Sequence, residues 1–197
     1  MRKIDLNDAA FLYLESRETP MHVGGVNLFT FPARANQERF MARLGNAYRS
    51  ATEFRRPFGE YVTTGRLGPL GPLYWEQDED LDMEYHVRHS ALPSPGRYRE
   101  LFALVSRLHS TLLDRSRPLW RLYVIDGLAS GQAGYYVKVH HAVLDGQAGV
   151  LLAQVLFDLT PRPRALPRPG RGGPAEHPGL GELAAAALQH DAGQYIK

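Results

Sequence analysis

Residues 137–149 read VKVHHAVLDGQAG, with two adjacent histidines followed four residues later by an Asp-Gly pair. An imidazole has an ordinary pKa near 6.5, so it is largely neutral near pH 7 and accepts a proton from a hydroxyl group. A positioned base of this kind speeds the attack of an alcohol on a carbonyl by roughly 10²–10⁴. The segment therefore indicates acyl transfer, with one of the histidines as a general base.

The run before the histidines is apolar and β-branched, which is typical of a strand. Neighbouring residues of a strand point to opposite faces, so His140 and His141 cannot easily meet at one target. This disfavours a metal site, although a metal hydrolase that uses His140, His141 and Asp145 stays an alternative. Asp145 and Gly146 precede a helical pattern, so N-capping by the Asp and a tight turn at the Gly would explain the pair by structure alone.

Local patterns predict the elements that must position this segment. Helices are predicted over 5–15, 36–49, 97–113 and 146–159, and strands over 22–31, 73–76, 85–92, 118–126 and 135–140, with loops and short strands at 54–72. The last two strands are predicted to form an antiparallel hairpin. The expected fold class is therefore α/β (α+β).

Composition narrows the class of protein further. The 197 residues are 44% hydrophobic and carry a net charge of +2 from 23 basic and 21 acidic residues, which does not suggest a nucleic-acid partner. Cysteine is absent, which excludes disulfides and thiolate nucleophiles. No signal peptide and no apolar run of about 20 residues is recognisable. We expect a cytoplasmic chain that can still lie against a membrane.

The composition changes after residue 159. Residues 160–181 contain six prolines and five glycines, too many for a packed element. We expect residues 1–159 to form one lobe, 160–181 an interlobe linker, and 182–197 the start of a helix that leads to an absent C-terminal lobe.

Several segments resemble known acyltransferases. HHAVLDG at 140–146 resembles the HHxxxDG signature of the coenzyme A-dependent acyltransferase superfamily. LNDAAFLYLESRETPMHVGGVNLF (6–29), WEQDEDLDMEYHVRHSALPSPG (75–96) and LDRSRPLWRLYVIDGL (113–128) are similar to the N-terminal half of bacterial wax ester synthase/diacylglycerol acyltransferases. The resemblance runs from about residue 6 to residue 159, with the motifs in the expected order.

The resemblance implies a mixed-sheet lobe of the chloramphenicol acetyltransferase-like two-lobed fold, with a substrate channel between the lobes. It implies that His141 is the general base and that His140 supports it. It further implies a structural or orienting role for Asp145 and room for substrate at Gly146. Candidates for the substrate channel are Pro118, Leu119, Trp120, Gly24 and Gly25, although packing alone would also explain Trp120.

The resemblance also implies the reaction. A long-chain acyl group would move from acyl-CoA to diacylglycerol, giving triacylglycerol, or to a long-chain alcohol, giving a wax ester. Acyl-CoA is then a co-substrate, and no metal or other cofactor is required. Because family members are about twice as long, we expect residues 1–197 alone to be inactive and to need the C-terminal lobe. Another HHxxxDG enzyme, such as a condensation domain, or a non-catalytic lipid-binding lobe are the alternatives.

Overall fold

The computed structural model describes residues 1–31, 36, 39–40, 58–64 and 71–144. Most of the predicted helix at 36–49 lies outside these residues. So do the predicted helix at 146–159, the linker, the last sixteen residues, and both Asp145 and Gly146.

The described residues form three helices and seven strands. In chain order they are β1 (Arg2–Lys3), α1 (Leu6–Leu14), β2 (His22–Phe29), β3 (Glu60–Thr63), β4 (Tyr74–Gln77), α2 (Met83–His86), β5 (Val87–Ala91), α3 (Tyr98–Ser110), β6 (Trp120–Asp126) and β7 (Ala133–His140). The predicted helices at 5–15 and 97–113 are confirmed as α1 and α3, each slightly shorter than expected. The strands predicted at 22–31, 73–76, 118–126 and 135–140 are confirmed as β2, β4, β6 and β7.

The strand predicted at 85–92 begins too early. Residues Met83–His86 form the short helix α2, and the strand starts only at Val87. The carboxylate of Asp82 accepts a hydrogen bond from the backbone N–H of Tyr85 at 3.0 Å. This N-cap stabilises a helical turn there and overrides the β propensity of the residues that follow.

Four strands form a mixed sheet in the order β2-β7-β6-β5. β7 is antiparallel to both β2 and β6, which confirms the predicted hairpin, whereas β5 runs parallel to β6. In this register His22 lies opposite His140, and Val139 lies opposite both Val23 and Trp120. A smaller antiparallel sheet has the order β1-β4-β3.

Three apolar cores hold these layers together. α3 covers one face of the four-stranded sheet, where Leu101 and Ile125 are fully buried against Tyr136. The opposite face carries a second core around Trp120 and Tyr135. Fully burying a side chain such as Leu101 contributes roughly 1.5–3 kcal/mol.

The third core is the one that matters for the histidines. It joins α1 to the smaller sheet and to the residues that flank the histidines, and contains Leu12, Trp75, Leu119 and Ala142. α1 begins after Asp5, whose carboxylate accepts the backbone N–H of Asn7 at 3.0 Å. Packing of α1 in this core therefore places the helix beside the end of β7.

Candidate active site

The two histidines lie where β7 ends. His140 is the last residue of the strand, and its side chain is completely buried. His141 follows it in a turn and is half-buried. The backbone N–H of His140 donates to the carbonyl of Leu119 at 2.9 Å, and that of His141 donates to the carbonyl of Met21 at 2.8 Å. These two bonds fix the backbone of both residues against neighbouring segments.

The neutral ring of His140 is held in one tautomer. Its Nδ1 accepts a hydrogen bond from the backbone N–H of Ala142 at 3.0 Å, so the neutral ring carries its proton on Nε2. That Nε2 lies 3.4 Å from Oε1 of Glu15, without the alignment of a hydrogen bond. Burial lowers the pKa of His140 to about 4, although the Glu15 carboxylate opposes the shift. His140 is therefore neutral near pH 7, with its lone pair already occupied.

The ring of His141 has different surroundings. It stacks on the ring of Phe11, with the two centroids 4.3 Å apart and the planes 10° from parallel. Its Nδ1 is buried and makes no hydrogen bond within the described part of the chain. Phe11 lies on α1, so the position of this helix determines where the His141 ring lies.

A buried acid lies directly beyond α1. The side chain of Glu15 is only 2% exposed, and its Oε2 lies 3.1 Å from Nη2 of Arg115. Its Oε1 accepts the backbone N–H of Met21 at 3.2 Å. We call Glu15, Arg115 and His140 the Glu15 cluster. Sequence analysis missed Glu15 and Arg115, because they are 100 residues apart and no local pattern links them.

The Pro-Leu-Trp segment is buried in packing. Pro118 and Leu119 are almost completely buried, and Trp120 is 5% exposed. The indole N–H of Trp120 donates to the carbonyl of Phe58 at 2.7 Å, and its ring stacks on His86 with centroids 4.5 Å apart. These contacts explain the segment structurally. A contact with substrate stays a prediction.

The two glycines of β2 have contrasting surroundings. A Cβ atom at Gly24 would lie 2.7 Å from the hydroxyl oxygen of Tyr136, which is closer than real contacts allow. A Cβ atom at Gly25 would meet no atom within 4 Å. Gly24 is thus required by the packing of Tyr136, whereas Gly25 borders open space. Their place in a substrate channel also stays a prediction.

Metal-binding and membrane-spanning features are both absent from the described residues. Within residues 1–144, apart from the stretches outside the description, no three His, Asp or Glu side chains gather closely enough to hold a metal ion. Among the helices described, none has the length and apolar character needed to cross a membrane.

Comparison with known proteins gives a consistent result. The profile of the wax ester synthase/diacylglycerol acyltransferase catalytic domain matches residues 5–193. A probable diacylglycerol O-acyltransferase, tgs2 of Mycobacterium tuberculosis, is 44% identical over 174 residues, which are 82% of this chain and 38% of that protein.

Solved structures agree with the sequence matches. The wax ester synthase/diacylglycerol acyltransferase from Marinobacter aquaeolei VT8 superposes with a TM-score of 0.74 at 37% identity, over 99% of this chain and 46% of that one. The first condensation domain of the calcium-dependent antibiotic synthetase shares the fold, with a TM-score of 0.59 at 18% identity over 79% of this chain and 36% of that one. The predicted fold is confirmed, and the chain spans less than half the length of these proteins.

Proposed function

This chain belongs to the wax ester synthase/diacylglycerol acyltransferase family, and from that premise we propose that it supplies the lobe carrying the general base of an acyltransferase. The proposed reaction moves a long-chain acyl group from acyl-CoA to diacylglycerol, or to a long-chain alcohol. The observation that carries the proposal is the position of His141, a half-buried residue that lies just beyond β7 beside a fully buried histidine.

The surroundings of the two histidines support different roles for them. His140 has no exposed surface, its Nδ1 lone pair is occupied, and its pKa is lowered by burial to about 4. Such a ring is unsuited to take a proton from an incoming substrate. His141 is only partly buried as a residue, and its Nδ1 is buried without a hydrogen-bond partner in the described part of the chain. We assign proton transfer to Nε2 of His141 and a supporting role to His140.

The proposed chemistry needs one base and no covalent enzyme intermediate. Nε2 of His141 takes the hydroxyl proton of the acceptor while the acceptor oxygen forms a bond to the thioester carbonyl carbon. The tetrahedral intermediate then collapses, the carbon–sulfur bond breaks, and the CoA thiolate takes the proton back from the imidazolium. General-base catalysis of this kind contributes roughly 10²–10⁴ in rate.

Apolar surface on α1 supports a lipid substrate. Leu6, Tyr13 and Leu14 are each more than 60% exposed. Leu14 lies one helical turn beyond Phe11, so the two side chains are neighbours on the helix surface. Exposed apolar surface beside the stacked His141 ring suits an acyl chain better than a small polar acceptor. For the same reason we propose a peripheral location at the inner membrane face or at lipid droplets.

The test uses a hybrid enzyme, in which this chain replaces the portion of the Marinobacter protein that it matches. Radiolabelled acyl-CoA is supplied with diacylglycerol or with hexadecanol, and lipid products are separated by thin-layer chromatography. We expect ester formation with at least one acceptor, and a loss of about 10²–10⁴ in kcat in the His141→Ala hybrid. The 197-residue chain alone is assayed in parallel and should give no product.

The matched control is His89→Ala. This histidine lies on β5, is 56% exposed, and pairs with Asp126 at 2.7 Å. Its replacement should leave kcat within about twofold, as expected for an exposed site. If the His141→Ala hybrid makes ester at the rate of the parent, the catalytic proposal is wrong, and a lipid-binding role for this lobe becomes the better explanation.

A further inference from the structure

We propose that Glu15 is a positioning residue for His141: it sets the base through Met21, His140 and the end of α1, without touching substrate. This inference rests on the proposed function of His141. Three separate contact routes lead from the one buried carboxylate to this histidine.

The first route runs through Met21. Oε1 of Glu15 accepts the backbone N–H of Met21 at 3.2 Å, and the carbonyl of the same residue accepts the backbone N–H of His141 at 2.8 Å. Only one residue therefore stands between the carboxylate and the backbone of the base. A shift of Met21 would move His141 with it.

The second route runs through His140. Its Nε2, which carries the proton, faces Oε1 of Glu15 at 3.4 Å, while its Nδ1 is held by the backbone N–H of Ala142 at 3.0 Å. The ring is thus confined on both sides, although it is buried and neutral. Because His140 is bonded directly to His141, a rotation of the buried ring would disturb the base.

The third route runs through α1. Nη2 of Arg115 donates both to Oε2 of Glu15 at 3.1 Å and to the carbonyl of Leu12 at 2.5 Å. The backbone N–H of Glu15 donates to the carbonyl of Phe11 at 3.1 Å. These bonds anchor the last turn of the helix, and that turn carries the Phe11 ring on which His141 stacks.

The charges in this cluster explain why a carboxylate is present. Glu15 and Arg115 compensate each other, so the acid can be 2% exposed without leaving an unpaired buried charge. A glutamine would keep an acceptor for Met21 but would lose the ion pair with Arg115. An alanine would lose the side-chain contacts to Met21, His140 and Arg115, and would keep only the backbone bond to Phe11. We therefore expect Glu15→Gln to displace His141 less than Glu15→Ala does.

The experiment has one readout that does not depend on turnover. Histidine labelled with ¹³C and ¹⁵N is incorporated into the 197-residue chain, and the ring resonances of His141 are assigned with His141→Gln. In the parent chain, stacking on Phe11 should shift the His141 ring protons upfield. Glu15→Ala should abolish most of this shift, and Glu15→Gln should reduce it.

The second readout is turnover in the hybrid. A base displaced by about 1 Å costs up to about 10²-fold in rate, so we expect Glu15→Ala to lower kcat by about 10-fold to 10²-fold. Glu15→Gln should lower kcat less, and neither variant should change the KM for acyl-CoA more than about twofold, because Glu15 does not bind it. A lower kcat with an unchanged KM distinguishes a positioning role from a loss of substrate binding.

Glu60→Gln is the matched control. Glu60 is equally buried, with 4% of its side chain exposed, and it pairs with Arg2 at 3.2 Å on β3 of the smaller sheet. Its variant should leave the His141 resonances and kcat unchanged. An equal loss in Glu60→Gln would overturn the proposal, because it would trace the effect to general destabilisation.

The remaining outcomes also separate the two proposals. If Glu15→Ala does not fold, Glu15→Gln serves as the test variant. Unchanged His141 resonances in Glu15→Gln would refute a positioning role. Unchanged resonances together with inactivity of His141→Ala would remove this inference and leave the proposed function intact. Shifted resonances together with an active His141→Ala hybrid would remove the proposed function and leave the structural coupling.

Discussion

Two polar clusters, each centred on a buried charged side chain, lie on the same face of the four-stranded sheet, close together along β7, and they have different structural roles. The Glu15 cluster lies at the end of the strand. The lysine cluster, which we define as Lys138, His22, His109 and Tyr136, includes the β7 residues four and two positions before His140. Lys138 is 3% exposed, and its Nζ donates to the carbonyls of Leu108 at 2.8 Å and of Thr111.

The lysine cluster caps the C-terminal end of α3. The last carbonyls of α3 have no partner within the helix, and a cation beside them is favourable both as a donor and against the helix dipole. Nε2 of His22 hydrogen-bonds to another carbonyl near the end of α3, that of His109, at 2.5 Å. Nδ1 of His109 in turn hydrogen-bonds to the hydroxyl of Tyr136 at 2.8 Å. Burial lowers the pKa of Lys138 to about 8, lowers that of both histidines and raises that of Tyr136.

The Glu15 cluster has its internal ion pair instead, and Nδ1 of the neighbouring His141 makes no hydrogen bond within the described residues. His140 is enclosed, whereas His141 is half-buried and stacks on the ring of Phe11. Each cluster buries a charged side chain, so buried charge alone does not distinguish them. The site proposed above is distinguished by a partly buried imidazole beside a cluster whose charges are already compensated.

The comparison predicts the largest effect on stability at Lys138. In Lys138→Met the terminal carbonyls of α3 lose their donor, and each buried carbonyl left unpaired should lower the free energy of unfolding by about 1–3 kcal/mol. Urea denaturation measures this, with Arg88→Met, an exposed change on β5, as a control expected to change it by less than about 0.5 kcal/mol. The kcat of folded hybrid should stay within about twofold. A fall of kcat as deep as that of His141→Ala would show that the two clusters are not separate in function.

The two clusters should also respond to pH in different windows. The pKa of His140 falls from 6.5 to about 4 on folding, so between these values the unfolded chain binds the proton and the folded chain does not. Stability then decreases as pH falls through this window, by up to about 3 kcal/mol from His140. For Lys138 the pKa falls from 10.5 to about 8, so stability increases as pH rises between those values.

Replacements that do not titrate separate the two contributions. His140→Gln should flatten the acid slope of the unfolding free energy and leave the basic slope in place, and Lys138→Met should do the reverse. Urea titrations at a series of pH values measure both slopes. An acid slope that is unchanged in His140→Gln would mean that His140 is not the buried, neutral histidine described above.

A smaller effect is expected from the glycines of β2. In Gly24→Ala the new Cβ would lie 2.8 Å from Cε2 of Tyr136, so that ring must move and disturb the lysine cluster. We expect a loss of about 1–3 kcal/mol, as in other overpacked sites. Gly25→Ala is the internal control, since open space surrounds that position, and thermal unfolding should differ little from the parent. Equal melting temperatures for the two variants would contradict this packing.

The smallest effect is expected at the aromatic stack. Phe11→Leu keeps an apolar side chain in the core but removes the ring from beneath His141, at a cost of about 1 kcal/mol. Because the base is less confined, kcat in the hybrid should fall several-fold while KM changes little. Phe102→Leu serves as the control, since Phe102 is 58% exposed on α3. A kcat that is unaffected by Phe11→Leu would show that stacking does not position the base.

Local patterns were sufficient for much of the fold. Three- and four-residue spacing of apolar residues predicted α3, β-branched runs predicted β6 and β7, and the turn between them predicted their pairing. The start of β5 was placed wrongly, because the Asp82 cap adds a helical turn that residue preferences for strand do not reveal. The site residues Asp145 and Gly146 lie outside the described residues, so their roles stay predictions.

By itself, the sequence determined which residues could do the chemistry, since two histidines before an Asp-Gly pair and the motifs around them already indicate the family. Only the tertiary structure decided how the two rings differ. His140 and His141 are adjacent in the chain, yet one is enclosed beside Glu15 and the other stacks half-buried on Phe11. The physical reason is distance along the chain: Glu15 and Arg115 are 100 residues apart, and only packing of α1 in the core brings them together at the end of β7.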